Sequence, residues 1–145
     1  MTWREAAEVD CPLLGALNHQ LVADERHPSA MTVAELTERM REFLAGEYTA
    51  ILFEDQGDVL AYALYHPIEG DELYLRQFFV VRGRRREGVG RRAVGILLGE
   101  VFPPGKRVVV TALSHNERAR SFWAEVGFDE YCVSFERRPG GADRA

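Results

Sequence analysis

Residues 84 to 92 read RRREGVGRR, five arginines around two closely spaced glycines, in a chain whose net charge is -5. The chemistry open to such a stretch is anion binding. A helix start exposes unbonded backbone N–H groups and a partial positive charge, and glycine lets a phosphate approach the main chain without a Cβ in the way. Arg85, Gly88 and Gly90 form the pattern RxxGxG between a strand-like run (ELYLRQFFVV) and a helical one. The GxGxxG of a dinucleotide fold and the GxxxxGK[ST] of a P-loop are both missing, which removes hydride transfer and NTP hydrolysis as readings. A solvated basic loop that merely opens a helix is the plain alternative.

The second constellation is SHNERARSFWAEVGF, residues 114 to 128. Other groups carry less information. Cys11 and Cys132 belong to no CxxC or Cys/His pattern and read as reduced thiols, and no metal site is expected. His19, His27, His66 and His115 are competent bases near neutrality, but none has a companion that singles it out. Asp24 and Glu25, in the DERH loop, could hold a cationic amine by charge; Arg76 and Gln77 could instead meet a carboxylate.

These residues need elements to position them. After a short extended start, residues 10 to 24 read as a helix with Asp10 as N-cap and Leu13, Leu14, Leu17 and Leu21 as its stripe. A second helix runs from Thr32 to Ala45, with Thr32 and Glu35 as a capping box. Residues 48 to 54 and 59 to 66 are strands joined by a short connection with a glycine. Residues 72 to 81 form a long strand with Leu73, Leu75, Gln77, Phe79 and Val81 on one face and Tyr74, Arg76, Phe78 and Val80 on the other. A helix from Gly88 to Val101, a strand from Lys106 to Leu113, a helix from Asn116 to Val126 and a last strand from Phe128 to Arg137 follow. The order is βααβββαβαβ: one domain over residues 1 to 137 and a mobile tail from 138 to 145.

RxxGxG at a strand-to-helix turn, followed about 30 residues later by NxxAxxFWxxxGF, resembles the GNAT superfamily of acyl-CoA-dependent N-acetyltransferases. The matched segment runs from Leu73 to Phe128, and residues 1 to 46 carry no motif of their own. The resemblance implies an α+β fold of three layers: a mixed, mostly antiparallel central sheet, a βαβ CoA-binding crossover, and helices on both faces. It implies acetyl-CoA as acyl donor and an amine as acceptor. The amides of Arg86, Glu87, Gly88, Val89, Gly90 and Arg91 would grip the pyrophosphate, with Arg85 supplying charge nearby. Main-chain groups of Phe79, Val80 and Val81 would pair with the pantetheine arm, the Val80 N–H polarising the thioester carbonyl. Asn116 would contact that arm, and the helix it opens would pack beside it through Phe122 and Trp123. Arg82, Arg84, Arg91 and Arg92 are left between the 3′-phosphate and plain surface charge.

Many members place a tyrosine acid one residue after the motif's phenylalanine. Here that residue is Trp123, whose indole donates a hydrogen bond and supplies no proton at neutral pH. Tyr131 is a substitute candidate for the acid and Glu72 a candidate base acting through water. Asp24, Glu25 and Arg76 are the candidates for acceptor binding. A small amine or a peptide suits this reading, while a non-catalytic acyl-CoA-binding module is the alternative that Trp123 prompts. The acidic balance argues against a nucleic-acid or membrane partner. A homodimer through the last strand is expected of the family, and a cytoplasmic location follows from the absence of a signal-peptide pattern or long apolar run.

Overall fold

The computed structural model describes residues 1–26, 30–85 and 87–140. Its strands are β1 (Thr2–Glu5), β2 (Thr49–Asp55), β3 (Asp58–Ile68), β4 (Glu72–Val80) and β5 (Arg107–Val110), hydrogen-bonded in that order. All neighbours are antiparallel except β4 and β5, which are parallel. The helices are α1 (Cys11–Asp24), α2 (Val33–Ala45), α3 (Val89–Ile96) and α4 (Glu117–Glu125).

Each face of the sheet has its own core. Cys11, Leu14, Leu17 and Met40 of α1 and α2 pack on Ala50, Leu52, Tyr62, Leu64 and Phe79. On the other face Val89, Ala93 and Leu97 meet Ile51, Phe53, Ala61, Ala63, Leu73 and Leu75. Burying a leucine such as Leu14 completely stabilises the fold by roughly 2–3 kcal/mol. The two helices of the first layer cross closely at Gly15, where a Cβ would lie 2.1 Å from Thr37 Oγ1. The capping box of α2 forms as its sequence predicts: Thr32 Oγ1 accepts from the Glu35 N–H at 3.1 Å and the Glu35 carboxylate accepts from the Thr32 N–H at 3.0 Å. Asp10 differs from its expected role. It makes no side-chain cap to α1; it accepts two guanidinium bonds from Arg4 and the Ala7 N–H, tying β1 to the start of α1. Both bonds to Arg4 outcompete the helix N–H groups because they are charge-assisted.

Three departures from the sequence reading shape the site. The strict two-face alternation along β4 fails. Leu64 pairs with Gln77 and Tyr65 with Leu75, so Arg76 has no partner and bulges. One extra residue swaps the faces of everything beyond it: Phe78 and Val80 join Leu73 and Leu75 on the α3 side, and Gln77 and Phe79 turn to the α1–α2 side. Second, β5 stops at Val110 rather than Leu113, its last pair being Leu75↔Val110. The bulge begins at the next residue of β4 and ends the pairing, so the two parallel strands separate. Third, residues 128 to 137 form no strand. Tyr131, Val133 and Phe135 are 79%, 63% and 95% exposed, with Tyr131 under the Arg107 guanidinium, 4.5 Å from the ring centroid. Alternation gives a segment two faces but not a partner edge, and here the outer edge of β5 goes unmatched. Among the described residues, no helix is long and apolar enough to cross a membrane. Residues 141 to 145 of the expected tail lie outside the described residues.

Candidate active site

Where β4 and β5 part, a cleft of about 510 Å³ opens between them, walled by the end of α1 and the starts of α3 and α4. One wall is main chain. The Val81 N–H donates to Leu60 C=O across β3 at 2.9 Å. Alternation along the strand therefore turns the N–H and C=O of Val80 and Phe78 to the opposite, unpaired edge. Of the three residues expected to pair with the cofactor arm, only Val80 offers both groups to the cleft; the Val81 N–H is spent on the sheet, and Phe79 faces its groups to β3.

Beyond β4 the chain makes a short 3-10 turn (Arg82–Arg84) and enters α3. The helix is opened by Gly88 at φ 75°, ψ 11°, a left-handed conformation in which any side chain is strained. The first helical bond is Arg92 N–H to Gly88 C=O, 3.1 Å. The amides of Val89, Gly90 and Arg91 precede it and bond to no described residue. Gly90 also serves packing. Its missing Cβ would lie 3.0 Å from Phe122 Cε1 and 3.5 Å from Val80 Cγ2, so glycine here lets α4 close on α3. Arg86 lies outside the described residues. Glu87 is exposed and ion-paired to Arg84 at 3.4 Å, and Arg91 reaches Glu125 at 3.5 Å.

The far wall is α4. Asn116 caps it, its Oδ1 accepting from the Ala119 N–H at 3.1 Å. Phe122 stacks on Phe78 at 5.9 Å, and Trp123 meets Phe78, Phe122 and Phe128 edge-on at 5.6, 5.0 and 5.1 Å. Both Phe122 and Trp123 line the cleft. Leu21, Thr111 and Ala112 line it too; they carry no motif, the end of α1 bringing Leu21 there and the divergence of β4 from β5 the other two.

Arg85 turns inward. Its Nε donates to Val80 C=O at 3.1 Å, its guanidinium lies 5.1 Å above the Phe79 ring, and Nη2 bonds Asp24. Arg82 binds the same carboxylate at 2.9 Å. Partial burial pushes the Asp24 carboxyl up, but bonds and charge from Arg85 and then Arg82 outweigh it, so it sits below the usual carboxylate range. Asp24 lines the cleft as expected yet is neutralised by two arginines rather than free for an amine. Glu25 lines the cleft as well, its carbonyl accepting from His115 Nε2 at 3.1 Å.

The two candidates for proton transfer fall elsewhere. Neither Glu72 nor Tyr131 lines the cleft. Glu72 opens β4 at the paired end of the strand and is bound to Arg107 at 2.6 Å, and Tyr131 is exposed against the same arginine. Strand order made both look near the site; the direction of β4, which enters at Glu72 and reaches the cleft only after the bulge, separates them from it.

On the α1–α2 side, Gln77 is 9% exposed and accepts the Tyr62 hydroxyl at 2.9 Å. Burial pushes the Tyr62 phenol well above its ordinary value and keeps it a neutral donor. Gln77 Nε2 reaches Asn18 Oδ1 at 3.4 Å, which also accepts Arg39 Nη2 at 3.1 Å. Arg76, raised by the bulge, donates to the Tyr48 hydroxyl at 3.2 Å and lies over the Phe43 ring. No cluster of His, Cys, Asp and Glu among the described residues could hold a metal ion.

The sheet is thus mixed and splits between its two parallel strands, with a bare helix start at the split. The model of the acetyltransferase (GNAT) family matches residues 16–128, and the chain belongs to that family. Its fold is that of a mutant of the BH1408 protein from Bacillus halodurans (20% identity, 96% of this chain and 99% of that one, TM-score 0.79). It is equally similar in kind to a predicted acetyltransferase of Clostridium acetobutylicum with acetyl-CoA (17%, 94% and 95%, TM-score 0.74). The aminoglycoside N-acetyltransferase AAC(6')-Iy in complex with CoA also shares it (16%, 94% and 93%, TM-score 0.73). At such identities the likeness is one of fold. No curated protein matches the chain in sequence.

Proposed function

We propose that this acetyltransferase moves the acetyl group of acetyl-CoA to a primary amine of a small molecule or peptide. The observation that carries the reading is that the outward N–H of Val80 and the unbonded amides of Val89, Gly90 and Arg91 border one cleft. The bound CoA and acetyl-CoA of the two fold relatives support the choice of donor.

In this reading the α3 amides and helix dipole hold the pyrophosphate, and the Val80 N–H faces the thioester oxygen, where negative charge develops. A neutral amine adds to the carbonyl carbon, the C–S bond breaks with its electron pair on sulfur, and the amine's extra proton passes to water. A thiol of pKa about 8.5 departs as thiolate with little assistance, so Trp123 in the aromatic cluster need only wall the cleft. Arg85 must release the Val80 carbonyl for the pantetheine arm to pair there, and Asp24 holds it ready near the phosphates.

Calorimetric titration with acetyl-CoA tests the donor site, and thiol release across an amine panel tests the transfer. Saturable binding with turnover of at least one amine is expected. Binding with no turnover on the whole panel would instead favour an acyl-CoA-binding module, and no binding at all would remove both. For the oligomer, we infer pairing with a second copy, supported by the open edge of β5 and the exposed face of Tyr131, Val133 and Phe135. Light scattering should give twice the chain mass, and Phe135→Asp should reduce it to one.

A further inference from the structure

The geometry points to an acceptor that carries a carboxylate as well as its amine, held by Arg76 with Arg39 behind it. This rests on the acetyl-transfer reading and names the class of substrate for the same cleft.

Four observations converge. First, Arg76 and Gln77 line the cleft, and the bulge that unpairs Arg76 turns both toward α1 and α2. Second, Arg76 and Arg39 share one aromatic support, their guanidinium carbons 5.1 and 5.4 Å from the Phe43 ring centroid. Two like charges brought together repel; burial and then the Arg76 charge lower the Arg39 pKa from its ordinary value. Neither is ion-paired to a carboxylate among the described residues, whereas Arg82, Arg84, Arg85 and Arg91 all are. Third, buried donors here lack acceptors. Among the described residues, Arg39 Nε and the Nδ2 of Asn18, a residue with 0% exposure, have no hydrogen-bond partner. Leaving such groups unpaired is costly, and a nearby anion relieves both the repulsion and the donor excess. Fourth, Asp24, an acid that lines the cleft, is already neutralised by two arginines.

The charge on this side of the cleft is therefore wrong for a polycation and right for an amino acid or a peptide-like acid. A guanidinium fork matches a carboxylate with two parallel bonds. Arg76 precedes Val80 by four steps along the strand, roughly 13 Å of backbone before the bulge shortens it. The length of the arginine side chain spans part of that, which leaves room for an amine set several bonds away from the carboxylate.

The test compares glycine, β-alanine, γ-aminobutyrate, lysine and glycylglycine with ethylamine, putrescine, spermidine and kanamycin as acceptors, and adds phosphoethanolamine to separate carboxylate from phosphate recognition. Carboxylate-bearing amines should show a KM at least tenfold below carboxylate-free amines of similar length. Arg76→Gln should raise that KM tenfold or more with little change in kcat or in acetyl-CoA affinity, and Arg41→Gln, a charge change away from the cleft, should leave it alone. Independently of turnover, glutarate should shift the melting temperature of the wild-type chain and not that of Arg76→Gln. Equal KM values for both classes, a preference for phosphoethanolamine, or a glutarate shift that survives Arg76→Gln would overturn the assignment. Loss of acetyl-CoA binding in calorimetry would instead strike the transferase reading, leaving the glutarate arm to decide this one.

Discussion

Where the cleft runs from Val80 to Arg91, the groups on offer are main-chain amides; where Arg76 and Gln77 line it, they are side chains, backed by Asn18 and Arg39. Main-chain donors are placed by the geometry of a strand end and a helix start, and the residues that matter are those that permit it: Gly88 for its left-handed backbone, Gly90 for the approach of Phe122. Side-chain donors are placed by packing between elements distant in sequence, as when Asn18 of α1, Arg39 of α2 and Gln77 of β4 meet. The first wall leaves a short local pattern in the sequence, and in the proposed reading it holds the donor. The second leaves none, and in the same reading it meets the acceptor.

If the walls are separable, changes in one should move donor affinity and changes in the other acceptor affinity. The largest effect is expected of Gly88→Trp, which combines a side chain at φ 75° with an indole over the bare amides. Acetyl-CoA affinity should fall a hundredfold or more in calorimetry, while Gly88→Ala, carrying only the backbone strain of about 1–2 kcal/mol, should fall far less. Next is Gly90→Val. The added carbons meet the Phe122 ring, where even a Cβ stands at 3.0 Å, and overpacking of this kind costs about 1–3 kcal/mol. A melting temperature lowered by several degrees and about tenfold weaker acetyl-CoA binding should appear together, since α4 and the cradle share that contact.

The other wall answers to Tyr62→Phe. It removes the hydroxyl that orients Gln77 and leaves a buried carbonyl oxygen unpaired, at about 1–3 kcal/mol. The acceptor KM should rise severalfold with acetyl-CoA affinity unchanged; a parallel loss of acetyl-CoA affinity would show the walls to be coupled. The smallest effect lies outside the cleft. The bond from Arg4 lowers the Asp10 pKa, burial opposes it, and the Ala7 N–H and the Arg4 charge lower it further, so the folded value lies below the usual one. A depressed carboxyl binds its proton more weakly in the folded chain, so its stabilisation is complete above the unfolded pKa of about 3.9 and is lost as pH falls through the folded value. Denaturant unfolding from pH 7 down to pH 2 should therefore lose stability below about pH 4. Asp10→Asn should be less stable by about 1–2 kcal/mol at pH 7 and show a flatter decline.

The helix pattern of residues 32 to 45, with Thr32 and Glu35 closing its first turn, was legible because capping and a 3.6-residue stripe are local properties. So was the turn at Gly88 and Gly90, because a glycine turn into a helix is a local property too. Other features rest on relations between distant residues. The Arg76 bulge depends on which residue of β3 lies opposite, and a period-2 pattern read without that partner put Gln77 and Leu75 on the same face. Residues 128 to 137 carry a strand's alternation and yet find no edge among the described residues. Glu72 sits on the right strand at the wrong end of it, and Asp24 is engaged by arginines about 60 positions away.

The sequence by itself determined the helices, the order of the five strands that form and the place where main-chain amides are left unbonded, since these follow from residues within a turn or two of one another. Only the tertiary structure decided how β4 parts from β5, which groups of Val80 face the opening and which arginines remain without a carboxylate. Those outcomes depend on register and on charges folded together across the chain, and no local spacing encodes them.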